Sequence, residues 1–164
     1  MTDIVLKHPK IYTPLQIGLG SFFGGPFAMT YFLWQNFKTL DNQNGAQYTL
    51  AGGILFNIGL LLFLPMLPAS IPPMVANIVI PFIYSLTALS IAATWQMRRD
   101  AIEHSIHYSF QNNWRVFLIS IALLIIWLGC SYALGMWLGA LGIIDLGGAP
   151  TTPQVDDLSF SQST

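Results

Sequence analysis

Hydrophobic and polar positions along this chain are gathered into blocks. Four long apolar runs, residues 15–34, 49–67, 74–95 and 116–144, contain no Asp, Glu, Lys, Arg or His. Crossing a bilayer core takes about 20 apolar residues in a helix. Backbone groups in lipid must also bond within their own segment. The blocks therefore predict an all-α fold, a polytopic bundle of four membrane segments. They lack the apolar–polar alternation of a membrane β-barrel.

The connections are polar and unequal. Residues 35–48 carry Lys38 and Asp41, and residues 68–73 are short, uncharged and rich in proline. Residues 96–115 hold Arg98, Arg99, Asp100, Glu103, His104, His107 and Arg115. From Asp145 the chain has no Lys or Arg, and residues 149–164 read as a flexible acidic tail after a single membrane domain over 1–148. Thr13-Pro14-Leu15-Gln16 fits a capping box with proline at the first helical position. Ser70 with Pro72 and Pro73 marks the start of the third segment. As one helix the fourth run would be roughly 43 Å long. That exceeds a core of about 30 Å. It must tilt, emerge from the membrane, or break near Gly139 or Gly142, and emergence with a glycine stop near Gly147-Gly148 is the simplest expectation.

Composition agrees with the medium. The 164 residues are 54% hydrophobic and 8% charged, with net charge −1. Soluble domains average about 25% charged residues. No basic face exists for nucleic acid. Cys130 is the only cysteine, which excludes an internal disulfide and a thiolate zinc site, and its apolar run predicts a small buried hydrophobe. The polar start lacks a convincing cleavage site, so insertion is assigned to the apolar runs themselves.

The first run is interrupted at Gly24-Gly25-Pro26. Proline removes a helix hydrogen bond and glycine loosens the chain. Two arrangements follow. A kinked spanning helix gives four spans with both termini on one side. A re-entrant hairpin gives three spans and places all six Lys and Arg on the cytoplasmic side. The sequence leaves the choice, and the orientation of the N-terminus, open.

Small residues recur at helix-packing spacing: Gly20 and Gly24, then Ser131, Gly135 and Gly139. Such residues let helices approach closely in lipid, either inside the protomer or against a partner or second copy. Asn57 and Asn77 are the most polar side chains within the runs. An antiparallel hairpin of the second and third segments would bring Asn57 to the Asn77 carbonyl, freed by Pro81; the alternative is contact with a solute. On a helix His104 and His107 would share a face, with Glu103 facing His107 one turn on, but a further ligand is missing, so no metal site is assigned. Tyr31, Phe32, Trp34, Tyr48, Trp95, Tyr108 and Trp114 lie near segment ends and are expected to anchor at the membrane interface.

Ile11-Tyr12-Thr13-Pro14-Leu15-Gln16-Ile17, Phe23-Gly24-Gly25-Pro26-Phe27 and Asn36-Phe37-Lys38-Thr39-Leu40 together resemble the opening of small, uncharacterised bacterial multipass proteins with an F-G-G-P turn. The remainder agrees only in hydrophobic layout. The resemblance implies a bacterial inner membrane and four membrane segments, and it carries no functional residue.

No P-loop, no G-x-S-x-G and no acid or histidine within the runs points to an enzyme or a cofactor. The expectation is a non-enzymatic protein, held by membrane lipid, that acts through a membrane-protein partner or homo-oligomer, as an accessory or assembly subunit or an immunity-type protein. The alternative is a small transporter or channel subunit, for which the broken first segment is the argument. An intramembrane enzyme ranks last.

Overall fold

A computed structural model describes residues 9–68, 70–96 and 109–143. The expectations for Glu103, His104, His107, Tyr108, Arg98, Arg99 and the acidic tail fall outside these residues. The described chain is mostly helical. Its elements are β1 (Lys10–Ile11), α1 (Pro14–Thr39), α2 (Gln43–Phe63) with a 3₁₀ turn at Leu64–Met66, a π-turn at Val75–Val79 leading into α3 (Ile80–Trp95), β2 (Ser109–Phe110) and α4 (Asn113–Ala140). Among the described residues three helices, Gln43–Met66, Val75–Trp95 and Asn113–Ala140, are long and apolar enough to cross a membrane.

α1 is the exception, and it organises the rest. It begins with the expected capping box: the Thr13 hydroxyl accepts from Gln16 N–H at 3.1 Å, and the Gln16 side chain accepts from Thr13 N–H at 3.0 Å. Eleven residues later the helix breaks. Gly25 takes φ 75° and ψ −174°, which is not helical. Such a torsion pair is essentially restricted to glycine. Pro26 then opens the second half, where its missing N–H removes a donor that would otherwise lack an acceptor.

The break reverses the chain. Tyr12 N–H donates to Asn36 Oδ1 at 2.8 Å, and Asn36 Nδ2 donates to the Tyr12 carbonyl at 2.7 Å. A continuous helix would hold residues 24 apart in sequence at roughly 36 Å. The halves, residues 14–24 and 26–39, therefore lie side by side as a hairpin. A Cβ on Gly20 would meet the Phe32 ring at 2.5 Å, and one on Gly24 would meet Ala28 at the same distance, so both glycines permit this close approach.

α2, α3 and α4 each pack on this hairpin and scarcely touch one another. Tyr12, Ile17, Ala28, Phe32 and Leu33 from the hairpin form the core with Ala88 and Ala92 of α3 and Val116 of α4. The molecule is thus a helical hairpin inside a loose collar of three apolar helices. β1 and β2 form a two-residue parallel ladder that ties the entry of α1 to the entry of α4.

Several boundaries differ from those expected. The polar residues 35–48 are not a loop. α1 runs on to Thr39, and α2 begins at Gln43 because the Asn42 side chain accepts from Gly45 N–H at 2.8 Å. Asp41 makes the joint by taking φ 56°. The Asn42 N–H reaches the Phe37 carbonyl and the Asp41 N–H the Lys38 carbonyl, closing α1 with a Schellman turn. α4 stops earlier than Gly147-Gly148. Gly142 at φ 68°, with Ile143 N–H on the Leu138 carbonyl and Gly142 N–H on that of Gly139, makes the same terminator. Before α3, Pro81 cannot donate to the Asn77 carbonyl, and the helix widens so that Ile80 N–H bonds Val75 instead.

Candidate functional site

Two polar clusters hold the hairpin. The first closes its open end. Asn36, already bonded twice to the Tyr12 backbone, also donates to Gln96 Oε1 at 3.0 Å, and Gln96 Nε2 donates to the Leu33 carbonyl at 3.0 Å. Gln16 Nε2 donates to the Gln111 carbonyl at 2.9 Å and to Asn113 Oδ1 at 2.6 Å. Side chains from three helices thus meet where α1 starts and ends. Tyr12 is fully buried beside this cluster. Burial, and next the neighbouring Tyr31, push its phenol up to about 12, against a smaller downward pull from Arg115.

The second cluster lies beside the reversal. Asn57 on α2 donates through Nδ2 to the Gly53 carbonyl at 2.6 Å, to Thr30 Oγ1 at 2.9 Å and to the Pro26 carbonyl at 3.4 Å. Thr30 Oγ1 donates to Pro26 as well, at 3.1 Å. Two of the three Asn57 partners are carbonyls, which only accept, so the amide orientation is fixed by chemistry. Gly53 sets the distance: a Cβ there would overlap Thr30. Asn57 Oδ1 is left buried with no partner. An orphaned buried acceptor costs about 1–3 kcal/mol. On the opposite flank, Ser120 Oγ of α4 donates to the Gly20 carbonyl at 3.1 Å, and Trp127 packs edge-on to Phe27.

This arrangement corrects part of the expected hairpin between α2 and α3. Asn57 and Asn77 do not meet. Asn57 turns inward to Pro26, whereas Asn77 sits exposed on the π-turn. The reason is geometric: α1 lies between the two helices, and Gly53 and Gly18 admit Thr30 and Leu89 across its surface. Apart from the Phe56–Tyr84 ring contact, centroids 6.2 Å apart, little joins α2 to α3. Cys130 is exposed rather than buried. Phe32 is a core residue rather than an anchor, while Tyr48, Trp95 and Trp114 remain exposed at the polar end.

The small-residue stripes divide in the same way. Gly20 and Gly24 are packed inside the protomer, Gly24 so closely that a Cβ would lie 2.8 Å from the Ser120 Cα. A Cβ on Gly135 would meet nothing within 4 Å, and the same holds for Gly129 on α4 and for Gly52 and Gly59 on α2.

Because the collar helices barely touch, grooves run between them. One of about 690 Å³ lies between the second half of α1, α2 and α3, with Asn42, Asn44 and Tyr48 at the polar end and Thr30 and Gly53 at the floor. Another of about 440 Å³ lies on the other side of α2, toward α4, and is almost wholly apolar. Among the described residues no group of three or more His, Cys, Asp or Glu is placed to hold a metal.

Thr30, Asn36 and Gln96 escaped the sequence reading. Thr30 is a single polar residue in an apolar run, and Asn36 and Gln96 sit just outside predicted segment ends, where polar side chains are expected anyway. The comparisons add no relative to this geometry: no family model, no curated protein and no solved structure matches the chain.

Proposed function

We propose that this chain is a non-enzymatic integral membrane protein of four membrane segments, three spanning and one re-entrant, that acts by docking helices of another membrane protein. The open glycines on α2 and α4 carry this reading. In lipid, association has no hydrophobic drive between helices and relies on close backbone approach at small residues. Inside the protomer every such approach is taken: Gly18, Gly20, Gly24 and Gly53 each face a neighbour. Gly52, Gly59, Gly129 and Gly135 offer the same notch to empty space. Only 11% of the α2 span is buried, so most of its surface is left for lipid or a partner.

The re-entrant topology is supported by the Tyr12–Asn36 bonds and by charge. Lys10, Lys38 and Arg115 sit at the end where α1 enters and leaves and α4 begins, and Arg98 and Arg99 follow α3 in sequence. All six Lys and Arg then fall on the cytoplasmic side, as the positive-inside rule favours. The resemblance in the first segment supports a bacterial inner membrane. A Cys130→Ser background with Lys10→Cys, Lys38→Cys or Leu141→Cys tests the topology with a membrane-impermeant thiol reagent. The expected result is labelling of the first two from one side and of the third from the other. Opposite labelling of the first two would restore a spanning first segment.

Partner docking is tested by co-purification from the native membrane. Gly52→Leu and Gly135→Leu, which meet open space, are expected to release a specific partner with the fold intact. Retention of the same partner by both variants would sink the reading. A second reading, a small transporter or channel subunit, is favoured by one observation: half-helix ends meet beside Asn57 within the bundle, as in transporters with discontinuous helices. Solute flux in liposomes that disappears with Asn57→Leu would select it.

A further inference from the structure

We propose that the groove between the second half of α1 and α2, on the side toward α4, seats one acyl chain of an anionic phospholipid whose headgroup meets a rim carrying Lys38 and Arg115. Lys38 stands on this side of α1. Its Nζ lies 5.0 Å from the centre of the Trp34 ring, and Trp34 lines this groove but not the larger one across α2. Arg115 approaches from α4. It and Tyr31, a lining residue, both act on the buried Tyr12 phenol. Leu123, which closes the groove on the α4 side, follows Arg115 by about two helical turns. Both cations are exposed. Asp41 is the only carboxylate among the described residues, and it lines neither groove.

Below the rim the groove accepts only hydrocarbon. Its polar members are spent or sealed. Thr30 Oγ1 donates to the Pro26 carbonyl and accepts from Asn57 Nδ2, which also donates to the Gly53 carbonyl. Asn57 Oδ1 is closed off from the groove, and the Tyr31 hydroxyl faces Tyr12 at the rim. What remains is apolar wall, with Phe27, Leu50, Ile54, Leu61 and Leu123. From Leu50 to Leu61 α2 rises roughly 16 Å. That matches one leaflet's half of a core of about 30 Å. The rim then selects the headgroup. A zwitterionic lipid would fill the trough equally well but would bring its own cation against Lys38 and Arg115. A phosphate with no such cation meets complementary charge, as in other basic pockets between membrane helices. The larger groove has neutral Asn42, Asn44 and Tyr48 at its mouth and lacks this preference. The inference requires α2 and α4 to span the membrane and is independent of partner docking.

The test is native mass spectrometry of the full chain in an uncharged detergent. Phosphatidylglycerol and phosphatidylcholine with identical chains are added at equal concentration. One phosphatidylglycerol per chain is expected to stay bound where phosphatidylcholine is lost. Lys38→Gln and Arg115→Gln change exposed side chains outside the core. Each should weaken phosphatidylglycerol about fivefold, the worth of one basic residue near an anionic surface. Lys10→Gln, an equal change of charge on β1, should leave binding unchanged. Ile54 is half-exposed, so Ile54→Trp fits the fold while filling the groove, and it should release the lipid with both cations in place. Equal retention of the two lipids by the wild type, an equal loss in Lys10→Gln, or undiminished retention in Ile54→Trp would overturn the proposal. So would a dimer that carries no lipid, which would give the groove to a second copy.

Discussion

Replacing Gly25 with alanine isolates the backbone term that creates the hairpin. The added methyl would meet the Trp127 side chain at 3.6 Å, an ordinary contact, so crowding contributes little. What alanine cannot easily adopt is φ 75° with ψ −174°. A residue forced into such a region costs about 1–3 kcal/mol. The strain has no easy escape. Straightening the helix would carry Tyr12 and Asn36 from hydrogen-bond distance to roughly 36 Å apart and would empty the core around Phe32. Gly25→Ala should therefore keep the hairpin and lose about 1–3 kcal/mol in reversible unfolding by SDS from mixed micelles. A D-alanine at position 25, introduced by chemical ligation, prefers positive φ and should recover most of that loss. Gly25→Ala with stability within about 0.5 kcal/mol of the wild type would mean that the chain does not reverse at this residue.

Other substitutions follow from the same geometry. Gly135→Ala, on an open helix face, should be neutral or stabilise by up to about 1 kcal/mol in the same assay, whereas Gly24→Ala, aimed at the Ser120 backbone, should be strongly destabilising. Asn57→Ala removes contacts that average about 0.6 kcal/mol each in membranes but also removes an acceptor orphaned at a cost of about 1–3 kcal/mol, so the two offset and a net change within about 1 kcal/mol of zero is expected in SDS unfolding. Asp41→Gly relieves a positive φ in a non-glycine residue and should raise stability by about 0.5–1 kcal/mol, checked the same way. The Tyr12 phenol is raised from 10.0 to about 12 by burial, so the stability linked to its neutral form is complete below pH 10 and is lost as pH rises through 12. Tyr12→Phe should flatten the part of the stability–pH curve between those values.

The residues themselves announce the medium and much of the local geometry. Long uncharged runs admit no solvent but lipid, and the capping box at Thr13 and the break at Gly25-Pro26 are readable because they depend on neighbours within a few positions. Asn42 and Asp41 were equally local, yet the polar character of residues 35–48 masked the helix ends that they form. The rest depended on distance in space. A glycine followed by proline permits a kink or a full reversal with the same local chemistry. The reversal is decided by Asn36 reaching Tyr12 and by Phe32 fitting over Gly20, pairs far apart in sequence. The same holds for Asn57, whose partner could be named only once α1 stood between α2 and α3. Apolar helices in lipid carry no one-sided pattern to say which face turns inward. That choice rests on where small residues let neighbours approach, which only the assembled bundle defines.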